Sequence, residues 1–200
     1  MEENLDVWGI GEDVQSEESS SKMMDVSIEA GRFITKLEFI DEENQALSVE
    51  VTDNDGRMAS RRYFAPKIDD VYIKDKEKLS AEIKKFKAVL ANIARKFIPN
   101  YTIVSTEARP LTTFKSVCMA VIDDINSTVG EAYKTKELRV KTVYNSKGFV
   151  TLPGAAPICE DPTVVAEKDS KLVYNRWDTT EMPKQKPDAE QKPTTSEEDW

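Results

Sequence analysis

Alternating apolar and polar positions in the first third of the chain predict three β-strands. Gly31–Ile40 and Ala46–Asp53 carry apolar side chains at every second position, which is the period of a half-buried strand. Asn54–Gly56 is a strong turn signal, because glycine adopts positive φ without steric cost. Arg57–Phe64 can then return beside the second strand, so the sequence predicts an antiparallel meander.

Helical spacing replaces this alternation in the middle of the chain. Between Lys76 and Ile98, apolar residues recur every three or four positions and form one continuous stripe, which Pro99 ends. Arg109–Asn126 predicts a second, shorter helix, whose buried face includes Cys118. The stripe of the first helix consists of Leu79, Ile83, Phe86, Leu90, Ile93 and Phe97. Thr112 or Thr113 can cap the second helix.

The chain then returns to the strand pattern. Glu137–Asn145 and Phe149–Pro153, joined by the turn Asn145–Gly148, predict a hairpin, and Ser170–Trp177 predicts one more strand. Early strands, a helical insertion and late strands indicate an α+β, mainly β domain. It is expected to be an OB-like small barrel or a curled antiparallel sheet with a long helical insertion. The barrel is favoured because closure removes exposed sheet edges.

Charge divides the chain into three parts. The net charge is −9, of which residues 1–25 hold −7 and residues 178–200 hold −4, leaving +2 for residues 26–177. Both ends are rich in charged, Ser or Pro residues and offer little apolar surface to bury. We therefore predict a disordered acidic N-terminal segment (1–25), an OB-like domain (26–177) and a disordered acidic C-terminal tail (178–200).

The composition argues against an enzyme and against a bound metal or cofactor. The chain has no histidine, which removes the commonest general base and the commonest zinc ligand. Its seven glycines form no phosphate-binding loop, and its carboxylates mark no catalytic pair. The two cysteines are too few and too far apart to form a disulfide framework. The acidic start is unlike a secretory signal, and no apolar run is long enough to span a bilayer. A cytoplasmic protein is expected.

Basic and aromatic residues occur together on the predicted strands. Cations neutralise phosphates and rings stack on any base, which suits single-stranded nucleic acid. A packed ring or a solvated cation is the alternative for each residue. The predicted nucleic-acid-binding residues are Arg57, Arg61, Arg62, Tyr63, Arg139, Lys141, Tyr144, Lys147 and Phe149. A further cluster consists of Tyr174, Arg176 and Trp177.

Three stretches carry a resemblance to a known family: "GRFITKLEFI", "TTFKSVCMAVI" and "LRVKTVYNSKGFVTLP". Over about residues 28 to 160, the chain resembles the single-stranded DNA-binding proteins of tailed bacteriophages. The resemblance implies a non-catalytic protein that coats single-stranded DNA in replication or recombination. It also implies an acidic tail with an aromatic end that recruits replication or recombination proteins. The predicted tail residues are Glu197, Glu198, Asp199 and Trp200.

Two other functions fit the same sequence. A structural or interaction protein of a phage particle would bury Trp8 and Trp200 in partner surfaces and show no salt-dependent affinity for DNA. A small inhibitor of a nucleic-acid enzyme would use its acidic ends to mimic DNA. The sequence leaves open the choice between DNA and RNA, and whether the chain forms a homo-oligomer.

Overall fold

The described part of the chain folds into one five-stranded antiparallel sheet, a small hairpin and two α-helices. In this computed structural model, it comprises residues 23–68, 73–164 and 169–183. The strands are β1 (Ile28–Ile40), β2 (Ala46–Asp53), β3 (Met58–Phe64), β4 (Leu138–Lys141), β5 (Val143–Tyr144), β6 (Val150–Thr151) and β7 (Cys159–Glu160). The helices are α1 (Lys76–Ala94), α2 (Phe114–Val129) and a 3-10 helix (Gly130–Thr135). The predicted α+β class and the early meander are confirmed.

The sheet is open, so the expected OB-like barrel is wrong and the antiparallel sheet is the alternative that fits. Its strand order is β3-β2-β1-β4-β7, which leaves β3 and β7 at the two edges. The β5–β6 hairpin lies along β3 without joining its ladder. Thr151 Oγ1 donates to the backbone oxygen of Ser60 at 2.6 Å, so a side chain makes the contact that a neighbouring strand would make in a barrel.

Both predicted helices are confirmed and pack on one face of the sheet. Asp75 caps α1 by accepting from the backbone nitrogen of Lys78 at 2.7 Å, and Thr113 caps α2 through a reciprocal pair of hydrogen bonds with Ser116. The stripe of α1 from Phe86 onward and that of α2 meet β1 and β2 in a common core that includes Cys118, whereas Ile83, predicted in the same stripe, is 37% exposed. Within the described residues, neither helix combines the length and apolarity that crossing a membrane requires.

The late part of the chain differs from the sequence prediction. The expected strand Glu137–Asn145 is broken after Lys141: β4 belongs to the main sheet, and β5 pairs with β6 instead. Ser170–Trp177 forms no strand. It belongs to an irregular segment, residues 169–183, which we name the C-terminal strap because it lies against β4 and β5 and hydrogen-bonds to both.

Packing continues past both predicted domain boundaries. Met24 is buried, with its backbone nitrogen 3.5 Å from the oxygen of Met58, and Asp178 and Thr179 contact β4 and β5. The ordered core therefore includes the last residues of the predicted N-terminal segment and the first residues of the predicted tail. The remaining parts of both, including Glu197, Glu198, Asp199 and Trp200, lie outside the described residues.

Candidate nucleic-acid interface

Edge strand β3 presents basic and aromatic side chains beside the hairpin. Its inward positions, Ala59 and Tyr63, are buried, while Arg62 and Phe64 are exposed. Arg61 is half-buried: its Nη1 donates to the backbone oxygen of Leu152 at 2.8 Å, and its Cζ lies 5.5 Å from the centroid of the Tyr63 ring. This hydrogen bond uses one of the five N–H donors of the guanidinium group. Among the described residues, no carboxylate forms an ion pair with Arg61.

A cleft runs beside β3. It consists of two adjoining depressions of about 540 and about 170 Å3, which share Arg61, Glu82, Lys85 and Gly154. We name it the β3 cleft. Its walls are β3, the first half of α1, the chain after β6, and the turn of the C-terminal strap. The other residues that line it include Arg62, Phe64, Tyr144, Asn175, Trp177 and Asp178.

The charge of the β3 cleft is positive on balance. Arg61, Arg62 and Lys85 line it, against the two carboxylates of Glu82 and Asp178. Glu82 accepts from Lys85 at 2.5 Å, and Asp178 forms an ion pair with the buried Lys141, which does not itself line the cleft. The two arginines on β3 are therefore left as the net charge of the cleft, and a guanidinium group is well suited to bind a phosphate.

Exposed rings border this charge. Trp177 is 78% exposed and Phe64 is 58% exposed, which is unusual for side chains of their size. Arg176 Cζ stands 4.5 Å from the centroid of the Trp177 ring, in a cation–π contact. Tyr144 is half-buried in the wall of the cleft. These rings offer faces on which unpaired bases could stack.

Two of the predicted contact residues are buried, which corrects their proposed roles. Tyr63 is 7% exposed and its hydroxyl donates to the backbone oxygen of Pro153 at 2.8 Å, so its ring is packing rather than a stacking surface. Burial also raises the pKa of the Tyr63 hydroxyl well above its usual value. Lys141 is 1% exposed, and its Nζ donates to Asp178 Oδ2 at 2.7 Å and to the Val173 oxygen at 3.1 Å.

Arg139 and Arg57 both form ion pairs with carboxylates of this chain. Arg139 Nη1 donates to Glu160 Oε1 at 2.8 Å and to Ser170 Oγ at 3.2 Å, so this guanidinium joins β4 to β7 and to the strap. Arg57 Nε donates to Asp53 Oδ2 at 2.7 Å, and its guanidinium also lies near the carboxylates of Asp25 and Asp55. Neither residue lines the β3 cleft.

The remaining predicted residues fall into two groups. Arg61, Arg62 and Tyr144 line the β3 cleft. Lys147 and Phe149 are exposed on the turn of the β5–β6 hairpin and do not line the cleft.

Sequence reasoning left several cleft residues out of the predicted site. Lys85 lies off the apolar stripe of α1, and its position opposite β3 depends on how α1 packs. Trp177 belongs to the predicted basic and aromatic cluster with Tyr174 and Arg176, which was the signal for it. That signal was weak because the segment was predicted as a strand, whereas it forms a turn that carries the tryptophan to the cleft.

No protein-family model matches the chain, and no curated protein is significantly similar to it. A functional assignment therefore depends on the geometry and chemistry of the described residues. In the β3 cleft, Arg61, Arg62 and Lys85 stand beside the exposed rings of Phe64 and Trp177.

Proposed function

We propose that the protein binds single-stranded DNA in the β3 cleft and has no catalytic role, acting as an accessory in DNA replication or recombination, including that of a phage. The observation that carries this proposal is the joint position of Arg61, Arg62, Phe64 and Trp177 around one cleft. The proposal does not need a closed OB-like barrel, because an open edge strand presents these side chains equally well.

Cations would neutralise phosphates of the DNA, and aromatic rings would stack on its bases. The affinity for a single strand falls as salt rises, and each neutralised phosphate adds about 0.7 to the steepness of log affinity against log salt. Two arginine contacts therefore predict a salt slope of about 1.4 in magnitude. Each stacked base contributes roughly 1–3 kcal/mol when the ring is removed by alanine substitution. A small cleft with two net charges can therefore bind with useful affinity only if rings such as Phe64 and Trp177 also contribute.

The rings favour single strands over duplex. A face such as that of Trp177 can stack only on a base that is unpaired and turned out of its helix, and in duplex DNA the bases are already stacked on each other. Duplex binding would depend on the phosphates alone. We therefore expect the affinity for duplex to be lower and to be lost sooner as salt rises.

The test is a fluorescence anisotropy titration of labelled oligo-dT with the full chain across a salt series. Arg61→Gln/Arg62→Gln should weaken binding and reduce the salt slope by about 1.4. The matched control is Lys134→Gln: Lys134 lies in the 3-10 helix, pairs with Glu131 and lines no part of the cleft. Equal losses in both variants would remove the cleft from the proposal. No binding by the wild-type chain would favour a structural or interaction protein.

The acidic tail remains a separate prediction. Glu197 to Trp200 would recruit a replication or recombination protein, and carboxylates of the tail would compete with DNA for the cleft. A chain ending at Pro183 keeps every described contact and removes residues 184–200. It should bind oligo-dT more tightly at low salt than the full chain does. Equal affinity of the two chains would contradict the competition.

A further inference from the structure

One buried ion pair joins the sheet to the C-terminal strap. Lys141, at the end of β4, is 1% exposed, and the side chain of Asp178 is 7% exposed. Their 2.7 Å contact is supported by the Val173 oxygen, which accepts from the same ammonium at 3.1 Å. Two charges thus lose most of their water and depend on each other.

Asp178 also shapes the turn that precedes it. Its Oδ2 accepts from the backbone nitrogen of Asn175 at 2.9 Å, and its own nitrogen donates to the Asn175 oxygen at 2.9 Å. Asn175 Oδ1 accepts from the Trp177 nitrogen at 2.8 Å. On the far side of the turn, the Thr179 oxygen accepts from the Tyr144 nitrogen at 2.7 Å. The backbone of Trp177 is therefore fixed from both sides, while its ring stays in solvent.

We propose that Lys141 is a positioning residue for DNA binding: its ion pair with Asp178 fixes the Asn175–Asp178 turn, so that the Trp177 ring, with Arg176 against it, stands at the β3 cleft as a preformed stacking surface. This inference rests on the proposed function and assigns a role in it to Lys141, which acts through Trp177. A flexible turn would have to be ordered when DNA binds, and a turn that is already ordered avoids this cost.

The arrangement is better explained by positioning than by stability alone. A buried ion pair is on balance often no more stabilising than apolar side chains of the same size, but it does specify one geometry. The strap here buries an ion pair and then leaves its largest ring 78% exposed. Anchoring by Leu172, which is 3% exposed, would have held the strap on the sheet without fixing the turn.

The experiment uses the full chain with Trp8→Phe and Trp200→Phe, so that Trp177 is its single tryptophan. In this background we compare Lys141→Met, Asn175→Ala and the control Lys134→Met, checking by circular dichroism that each is folded. Without DNA, Lys141→Met and Asn175→Ala should lower the steady-state anisotropy of Trp177, because the turn gains freedom. Lys134→Met should leave that anisotropy unchanged. If Lys141→Met does not fold, Asn175→Ala tests whether a fixed turn positions Trp177, since it removes an exposed side chain together with its hydrogen bond to the Trp177 nitrogen.

The same variants are then titrated into labelled oligo-dT. Lys141→Met and Trp177→Ala should each raise Kd about tenfold. Together they should raise it no further than Trp177→Ala alone, because a residue that acts through Trp177 has nothing left to position. A folded Lys141→Met protein with unchanged Trp177 anisotropy, or effects on Kd that simply add, would overturn the positioning role.

Failure of this inference is distinguishable from failure of the proposed function. If the wild-type chain binds DNA and Arg61→Gln/Arg62→Gln weakens binding while Lys141→Met does not, only the positioning role is overturned. If the wild-type chain does not bind DNA, the proposed function is overturned, and the role of Trp177 in binding with it.

Discussion

Strands β3 and β4 carry similar sequence patterns and use their cations in opposite ways. Both place arginine or lysine between apolar residues that face the core. On β3, Arg62 is exposed and Arg61 borders a cleft. On β4, Arg139 is bound to Glu160, and Lys141 is buried with Asp178. The difference comes from position, because β3 is at the edge of the sheet and β4 lies inside it, beneath the C-terminal strap.

The comparison shows that a cation offers affinity only to the extent that the fold leaves it unpaired. A lysine that already has a carboxylate at 2.7 Å would have to break that pair before it could bind a phosphate. An exposed arginine has only water to lose. The same alternation in sequence therefore predicts a ligand contact on an edge strand and a structural ion pair on a covered strand.

The largest expected effect concerns stability. Lys141→Met should lower the free energy of unfolding by about 3–5 kcal/mol, because it leaves the Asp178 carboxylate buried without its partner. Arg62→Met, on the exposed side of β3, should change it by less than about 0.5 kcal/mol. Urea denaturation followed by circular dichroism measures both. Similar losses for the two variants would remove the distinction between the strands.

The next effect separates the cleft from the hairpin turn. Phe64→Ala should weaken oligo-dT binding by about 1–3 kcal/mol, because Phe64 lines the β3 cleft and is 58% exposed. Phe149→Ala is the matched control, since Phe149 is 54% exposed but lies outside the cleft. Anisotropy titrations of the two variants decide the matter. A larger loss for Phe149→Ala would move the binding surface from the cleft to the hairpin.

Local signals in the sequence predicted most of the elements. The alternation in Gly31–Ile40 and Ala46–Asp53, and the stripe from Leu79 to Phe97, are periodic over many residues and depend on no distant contact. The capping role of Thr113 was equally local. Such features could be predicted because each element must bury one face, whatever its partner is.

The candidate site could be predicted only in part, because burial on the second face of a strand is a tertiary property. Alternation puts Leu138 and Val140 on one face of β4 and Lys141 on the other, yet all three residues are buried. Nothing local shows that residues 169–183 return over that face. Lys85 was missed for a similar reason, since a helix pattern does not show which strand its polar side meets.

A smaller effect compares single arginines on the two strands. Arg62→Gln should reduce the salt slope of oligo-dT binding by about 0.7, which corresponds to one phosphate contact. Arg139→Gln should leave the slope unchanged, because Arg139 is bound to Glu160 at 2.8 Å and to Ser170. The measurement is Kd at four or more salt concentrations for each variant. A reduced slope in Arg139→Gln would show that this guanidinium is available to DNA after all.

The smallest effect concerns Arg57, a cation next to β3 that is paired as those of β4 are. Burial would raise the pKa of Asp53, but hydrogen bonds from the Arg57 backbone and guanidinium outweigh it and hold that pKa below its usual value. A carboxylate with a lowered pKa contributes stability above its unfolded pKa of about 3.9 and loses it as pH falls through the folded value.

Asp53→Asn should therefore cost about 1 kcal/mol or less at neutral pH and make stability fall less steeply below about pH 4. Asp55→Asn is the control, since the Asp55 side chain is 73% exposed and its contact with Arg57 is longer, at 3.3 Å. Urea midpoints from pH 2.5 to pH 7 measure both profiles. Identical acid profiles for wild type and Asp53→Asn would mean that this carboxylate does not hold Arg57.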